Sequence, residues 1–277
     1  MQVGTFDNVF RRSTFESRLD ALKALGGQAI QLHLDTVGLE VFPREVPAGV
    51  ADRVRGATTA RGITVTAVSG MFNMAHPDPG VRADGLGRLA SLCAACARLG
   101  TRVIGVCTGS RNLASMWRPH PDNRSAEAWR DFRDTMAAAL PHAERHGVTL
   151  AMEPEVNNVV DSGESARRII DEMRSPNLGV CLDGANIFHA GQLPRMAAVL
   201  DDLFARVGDR IAFAHGKDLD RDGDAGHLAA GHGLLDWDRY LRHLDRVGYR
   251  GAVILHGLTE WQAPGCIRFV QGKLPSS

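Results

Sequence analysis

The sequence lacks several features that mark particular classes of protein. Its 32 lysines and arginines balance its 32 aspartates and glutamates, so no net charge favours a polyanionic partner. Enzymes that act on nucleic acids usually carry a basic surplus. No apolar run approaches the roughly 18 residues of a membrane span, and the first residues, MQVGTFDNVFRRS, lack the long apolar stretch of a signal peptide. We therefore expect a cytoplasmic protein that binds neither nucleic acid nor membrane.

Cysteines are few and do not form a metal-binding pattern. The chain has five, and only Cys93 and Cys96 lie close together, in an apolar helical stretch. A zinc knuckle normally needs two such close pairs. We expect buried free thiols, which suit a reducing compartment.

What the chain does have is a regular alternation of strand-like and helix-like segments over 277 residues. Short apolar runs bounded by Gly and Pro are typical of buried parallel strands. The eight strand candidates are Val3–Phe6, Ala29–Leu34, Thr64–Val68, Val103–Cys107, Val148–Met152, Leu178–Leu182, Ile211–Ala214 and Ala252–Leu255. The helical patterns that follow them are Phe15–Leu25, Ala48–Ala60, Arg82–Leu99, Ala126–His146, Gly163–Arg174, Pro194–Val207, Trp237–Val247 and Cys266–Lys273.

Eight such units with no break in composition predict a single (β/α)8 TIM barrel that forms one domain over residues 1–277, since such barrels take about 250 residues. An open doubly wound sheet is the alternative, although no glycine-rich phosphate loop follows the first strand. Five glycines lie where a helix meets the next strand and predict left-handed helix ends. They are Gly26, Gly100, Gly147, Gly208 and Gly248.

Four strand candidates each lead into a potential metal ligand, namely Glu153, Asp183, His215 and His256. Active sites of parallel barrels lie at the carboxyl ends of the strands. A mixed set of carboxylates and imidazoles suits Mn²⁺, Mg²⁺, Co²⁺, Fe²⁺ or Zn²⁺. The ion would polarise a carbonyl and stabilise an enediolate, and Glu153 could act as a base. A carboxylate at a strand end can also be a helix cap or part of a surface ion pair.

Five short motifs add to this pattern. They are Met152-Glu153-Pro154, Asp183-Gly184-Ala185-Asn186, His215-Gly216-Lys217-Asp218, Gly231-His232-Gly233-Leu234-Leu235-Asp236-Trp237 and Gly248-Tyr249-Arg250-Gly251. Through them the sequence resembles, over essentially its whole length, the xylose-isomerase-like barrel superfamily, in the branch of sugar phosphate isomerases and epimerases. The resemblance implies one divalent metal ion at the ends of strands five to eight, a small carbohydrate substrate, and a homodimer or homotetramer.

The resemblance also implies a ligand set of Glu, Asp, His and a second Glu. The first three fall on Glu153, Asp183 and His215, but the fourth falls on His256, where the sequence departs from the pattern. In the family's ketose 3-epimerases the two Glu residues lie on opposite faces of the substrate, and one removes a proton that the other returns. His256 could be a fourth ligand, a second catalytic acid/base beside Glu153, or the mark of a degraded metal site. Glu260, four residues on, is a further candidate for the missing carboxylate.

Polar residues near the strand ends are candidates for contacts with substrate hydroxyls. They are His33, Asn73, Asn186, His189, Lys217 and Arg221. Asn186 stands where many relatives have a substrate-contacting His, and Arg221 matches a substrate-binding Arg in some of them. Trp117 is a candidate for an apolar wall over a sugar face. No cluster of Arg or Lys in the last two loops demands a phosphate, which favours a free sugar.

Four functions stay open. The first, which we predict, is a metal-dependent isomerase or epimerase that acts on a keto-sugar or related polyol through an enediolate, with Glu153 as the base. The second is a lyase or dehydratase of the keto-inositol type, for which one base and an acid such as His256 suffice. The third, an apurinic-site endonuclease, would need a three-zinc cluster with more histidines and a basic surface. The fourth is a non-catalytic barrel with a degraded metal site.

Overall fold

The computed structural model describes residues 1–275 and shows a closed barrel of eight parallel strands in sequence order. The strands are β1 (Gln2–Phe6), β2 (Ala29–Leu32), β3 (Thr64–Ser69), β4 (Val103–Cys107), β5 (Thr149–Glu153), β6 (Leu178–Asp183), β7 (Ile211–Gly216) and β8 (Ala252–Leu255). The helices are α1 (Phe15–Ala24), α2 (Ala48–Arg61), α3 (Pro79–Leu99), α4 (Ala126–His146), α5 (Gly163–Met173), α6 (Met196–Val207), α7 (Trp237–Arg246) and α8 (Ala263–Gln271). The predicted (β/α)8 barrel is confirmed, and the open sheet is excluded because β1 pairs with β8.

The element boundaries differ from the sequence prediction where capping decides them. Helix α3 begins at Pro79, three residues before the predicted start, because the Asp78 side chain accepts a hydrogen bond from Gly80 N at 2.7 Å and proline suits the first helical turn. Helix α6 begins later than predicted, since a short 3-10 turn occupies Leu193–Arg195. Helix α7 is capped by Asp236, which accepts from Arg239 N at 2.9 Å.

Four of the five predicted left-handed glycines have positive φ, and Gly208 does not. Gly26, Gly100, Gly147 and Gly248 have φ between 59° and 95°. The prediction for Gly208 is wrong: its φ is −59°, and it begins a 3-10 turn. A Cβ at this position would lie 2.7 Å from Val247 Cγ1, so glycine is needed there for close packing against the end of α7.

The barrel has two apolar layers that together orient the strand ends. The larger lies between the strands and the surrounding helices. The smaller fills the barrel interior and consists of Ala29, Ala67, Ala151, Cys181, Phe213, Ala252 and Ile254. Because side chains alternate along a strand, the residue two positions further on faces the same way. The residues two positions after these interior side chains include Gln31, Ser69, Glu153, Asp183, His215 and His256.

All five cysteines are buried and free, as predicted. Within residues 1–275, no helix combines the length and the apolar character that crossing a membrane would require.

Candidate metal centre and active site

Four side chains meet at the carboxyl ends of strands β5 to β8. Glu153 and Asp183 end β5 and β6, His215 is the last residue but one of β7, and His256 directly follows β8. One ligand atom from each lies within 4.8 Å of the others. Glu153, Asp183 and His215 are buried, and His256 is partly buried. The structure thus brings together all four residues predicted as ligands.

These side chains lie in two close pairs. His215 Nδ1 lies 3.1 Å from Glu153 Oε1, and His256 Nε2 lies 3.0 Å from Asp183 Oδ2. Lys217 Nζ lies 3.8 Å from the same Asp183 oxygen. Asn186 Nδ2 donates to Glu153 Oε1 at 2.8 Å. Each carboxylate therefore lies against at least two nitrogen groups that hold its orientation.

Burial and neighbouring charge shift the protonation of the cluster in opposite directions. Burial raises the pKa of Glu153, but His215 and Lys217 outweigh it, and the net pKa lies below the usual value. Burial also opposes ionisation of Asp183, but Lys217 and His256 hold its pKa well below the usual range. Burial, with His215 and Lys217 nearby, lowers the pKa of His256 to about 4. At neutral pH both carboxylates are ionised and His256 is a neutral imidazole.

This donor set fits a divalent metal ion. Two ionised carboxylates buried within a few ångströms of each other repel, and the single ammonium group of Lys217 offsets only one of their two charges, which leaves room for a cation. A neutral imidazole offers a nitrogen lone pair, and mixed oxygen and nitrogen ligands suit Zn²⁺, Mn²⁺ and Fe²⁺. The cluster can therefore bind a metal, and the donor types alone do not select one among these ions.

A cavity of about 420 Å³ lies above the cluster, within the usual range of small-molecule sites. It is lined by Phe6, Gln31, His33, Ser69, Met71, Trp117, Glu153, Glu155, Asn157, His215, Lys217, Asp224, Ala225, Gly226, His227 and His256. Most of these side chains are polar, with Phe6, Met71 and Trp117 as the larger apolar surfaces. Such a wall suits a small hydroxylated ligand with some apolar faces.

Two of the six predicted substrate-binding residues, His33 and Lys217, line this cavity. Asn186 is fully buried beside Glu153, and its Oδ1 accepts from Gly226 N at 3.1 Å. Both ends of its amide are thus engaged by the protein, so Asn186 lies in a position to orient Glu153. This placement does not bring it to the cavity wall.

The other three predicted residues lie away from the cavity wall. Asn73 Nδ2 donates to the carbonyl of Ser110 at 2.7 Å, and its Oδ1 accepts from backbone amides. His189 faces a separate cleft beside α6, with its Nε2 3.5 Å from Asp161. Arg221 is exposed and bonded to His227 at 2.9 Å. These three side chains are engaged by other parts of the protein.

Glu260 does not supply the missing carboxylate. Its side chain forms an ion pair with Arg12 and accepts a hydrogen bond from Arg11 N at 3.1 Å. It lies in a surface groove next to Trp261 and is not part of the four-residue cluster. His256 therefore holds the fourth position without help from this loop.

Several cavity residues were missed from sequence. Gln31 lies two positions before His33 and Glu155 two positions after Glu153, so the alternation of side chains in extended segments could have indicated both. Burial, together with the charge of Glu153, raises the pKa of Glu155 to about 8. Asp224 and His227 come from the long loop after β7, whose path no local pattern predicts.

Asp218 organises that loop. It is fully buried and accepts hydrogen bonds from Leu219 N and Leu235 N on Oδ1, and from Gly231 N and Trp237 Nε1 on Oδ2, at 2.9 to 3.0 Å. These contacts tie both ends of the loop together. The part between them is thereby folded over the cavity.

The model of the family described as xylose isomerase-like TIM barrel matches residues 19–264. The chain belongs to this family. The match covers most of the barrel, including every one of the four candidate ligands. None of the curated proteins matches the chain.

Solved structures similar to this xylose isomerase-like barrel cover nearly its whole length. The 3-keto-D-glucoside 4-epimerase YcjR from E. coli is 17% identical, with a TM-score of 0.76, over 98% of this chain and 99% of that one. A D-tagatose 3-epimerase-like protein is 16% identical, with a TM-score of 0.75, over 99% and 97%. The IolI protein, solved with a zinc atom, is 17% identical, with a TM-score of 0.75, over 98% and 96%. At such low identity these likenesses show the fold alone.

Proposed function

We propose that this protein is a metal-dependent isomerase or epimerase that acts on a keto-sugar or related polyol through an enediolate, with Glu153 as the base. The observation that carries the proposal is the group of four ligand side chains at the floor of a polar cavity. The similar structures include an epimerase, an epimerase-like protein and a zinc-containing protein, which supports the same reaction class.

The cofactor in this proposal is one divalent metal ion, Mn²⁺ by preference, held by Glu153, Asp183, His215 and His256. When bound, such an ion polarises a carbonyl and stabilises negative charge on its oxygen. The two carboxylates and two imidazoles supply both kinds of donor that these ions accept.

The protein's own residues move the proton and hold the substrate. Asn186 and His215 both contact Oε1 of Glu153 and so fix the plane of its carboxylate. The carboxylate can then take a proton from the carbon next to the substrate carbonyl. Lys217, on the cavity wall, is placed to stabilise negative charge that develops on a substrate oxygen.

The charge of the cavity wall favours an unphosphorylated substrate. Beyond the ligand cluster the wall carries one ionised carboxylate, Asp224, and one ammonium group, Lys217, because the pKa of Glu155, raised to about 8, keeps most of that carboxyl group protonated at neutral pH. That ammonium lies 3.8 Å from Asp183, so part of its charge is already offset. A phosphate dianion would therefore meet no net positive charge from these groups.

A lyase or dehydratase acting on a keto-polyol is the second candidate, and the identity of His256 favours it. An epimerase needs a second acid/base group to return the proton on the other face, whereas elimination of water needs one base and one acid. His256 lies 3.0 Å from Asp183 and lines the cavity. It is therefore placed to bind the metal, and it could protonate a leaving hydroxyl only at acidic pH, because its pKa is lowered to about 4.

The test is a screen of unphosphorylated keto-sugars and keto-polyols with the Mn²⁺-loaded protein, followed by mass spectrometry of the products. Isomerisation or epimerisation keeps the substrate mass, whereas dehydration removes one water. We expect Glu153→Gln to lower kcat at least about a hundredfold, since it removes the base. The matched control is Glu164→Gln, an exposed carboxylate in the first turn of α5.

Three results would contradict the proposal or redirect it. Full activity in Glu153→Gln would exclude Glu153 as the base. Loss of water from the substrate would select the lyase. Conversion of wild-type elimination to epimerisation by His256→Glu would show that the fourth position chooses between the two reactions.

A further inference from the structure

A chain of hydrogen-bonded polar side chains runs from the metal-ligand cluster across the barrel to Asp7, which directly follows β1. His215 Nε2 lies 2.7 Å from Gln31 Oε1, and Gln31 Nε2 donates to Ser69 Oγ at 2.8 Å. Ser69 Oγ lies 3.2 Å from His33 Nε2, and His33 Nδ1 lies 3.2 Å from Asp7 Oδ1. Asp7, Gln31, Ser69 and His215 are all buried. None of the four groups beyond His215 belongs to the ligand set, so their arrangement calls for a separate explanation.

The positions of the protons along this series of hydrogen bonds follow from Asp7, its last member. The carboxylate of Asp7 can only accept, so with His33 neutral its Nδ1 carries the proton and its Nε2 accepts from the Ser69 hydroxyl. Ser69 Oγ then accepts from the amide nitrogen of Gln31. That places the Gln31 carbonyl oxygen at His215, and a carbonyl only accepts, so the proton of His215 lies on Nε2.

The consequence falls on the other nitrogen of His215. With Nε2 protonated, the lone pair of the neutral imidazole is on Nδ1, the nitrogen that faces Glu153 Oε1 at 3.1 Å. A lone pair against a carboxylate oxygen repels it unless a cation lies between them. The chain thus presents Nδ1 to the cluster in the form that binds metal.

Two backbone features set the surroundings of these hydrogen-bonded side chains. The pairing of β2 with β3 shifts by one residue between Ile30 and Gln31, which sets Leu32 opposite Val68 and so brings Ser69 beside His33. Without the shift Val68 would lie opposite His33 in place of Ser69, because a slip of one residue exchanges the two faces of a strand. Gly105 in β4 borders the same region: a Cβ there would lie 3.3 Å from Phe213 Cζ, a tight contact, and 3.6 Å from Gln31 Nε2, an ordinary one.

We propose that Gln31 is a positioning residue for the metal centre, which holds His215 in the Nε2-protonated form through the chain that ends on Asp7. The inference rests on the proposed metal-dependent function and deepens it. Outer groups that accept the second N–H of a ligating histidine typically change metal affinity about 10–100-fold. Gln31 would act in this way although it lies 184 positions from His215 in the sequence.

The first test is metal affinity, measured by titration calorimetry with Mn²⁺ and with Zn²⁺ and no substrate. Gln31→Met keeps the approximate shape but removes the acceptor, and we expect a loss of affinity of about 10–100-fold. Gln31→Glu keeps an acceptor at the same distance and should retain most of the affinity. The matched control is Thr5→Val, because the Thr5 hydroxyl is buried and has no hydrogen-bond partner in residues 1–275.

The second test needs no variant. Nitrogen-15 NMR of the histidines should show the neutral ring of His215 with its proton on Nε2 in the metal-free protein and in the Zn²⁺-loaded protein. A proton on Nδ1, or a Gln31→Met variant that binds both metals as tightly as the wild type, would overturn the inference.

These readouts separate the inference from the proposed function. Normal metal binding without turnover of any keto-sugar or keto-polyol would contradict the proposed reaction and leave the role of Gln31 supported. Absence of metal binding in the wild type, with the proton of His215 on Nδ1, would contradict both.

Discussion

At the scale of single residues, the neighbouring charges decide whether the pKa of a buried carboxyl group is raised or lowered. Glu153 and Glu155 are two positions apart and both are buried. His215 and Lys217 outweigh the effect of burial on Glu153 and lower its pKa, whereas the pKa of Glu155 is raised to about 8. The sequence shows two similar carboxylates, and only the contacts distinguish them.

The cysteine side chains give a prediction with a clear dependence on pH. Burial raises the pKa of Cys93 and of Cys96 to about 12, and it also raises the pKa of the other three thiols. A raised pKa keeps a thiol protonated at pH 8, and the thiolate is the reactive form. We expect no thiol to react quickly with a disulfide reagent in the native protein at pH 8, and all five to react in denaturant. Rapid labelling of the native protein would contradict the assigned burial.

At the scale of elements, the loop from β7 to α7 depends on one carboxylate. This part of the chain contains two of the five motifs through which the sequence resembles the family, and two candidate substrate-binding residues, Lys217 and Arg221, lie in it. Asp218 is the last residue of the His215-Gly216-Lys217-Asp218 motif. It has a structural role, since four donors form hydrogen bonds with its carboxylate. Lys217, its neighbour, faces the cavity instead. Of these two adjacent residues, Asp218 therefore holds the loop together and Lys217 lines the cavity.

Replacement of Asp218 tests this assignment. Asp218→Asn puts an N–H group against backbone and indole N–H donors, and leaving buried donors unsatisfied should lower the free energy of unfolding by about 3 kcal/mol. Asp220→Asn is the matched control, because Asp220 is an exposed carboxylate in the same loop, and it should change stability by less than about 0.5 kcal/mol. Urea unfolding followed by circular dichroism measures both. Equal stabilities of the two variants would show that the four hydrogen bonds do not hold the loop.

At the scale of the whole molecule, the barrel and its ligand cluster could be predicted because both follow from local periodicity. Each ligand ends an apolar run, and parallel strands carry their ends to one face. The placement of Arg221 and His189 could not be predicted in this way, because it depends on loop paths. The chain from His215 to Asp7 could not be predicted either, since it joins strands on opposite sides of the barrel through a shifted register. Sequence patterns therefore predicted that these four side chains meet, and the contacts that support them depend on the tertiary structure.

The central claim is that Glu153, Asp183, His215 and His256 form one working metal centre. Elemental analysis of the purified protein, after dialysis and after reconstitution with Mn²⁺, tests it most directly. We predict about one tightly held ion per chain in the wild type, as expected of a four-ligand site, and a loss of that ion in Asp183→Ala. No retained ion in the wild type under either condition, or equal occupancy in Asp183→Ala, would contradict it.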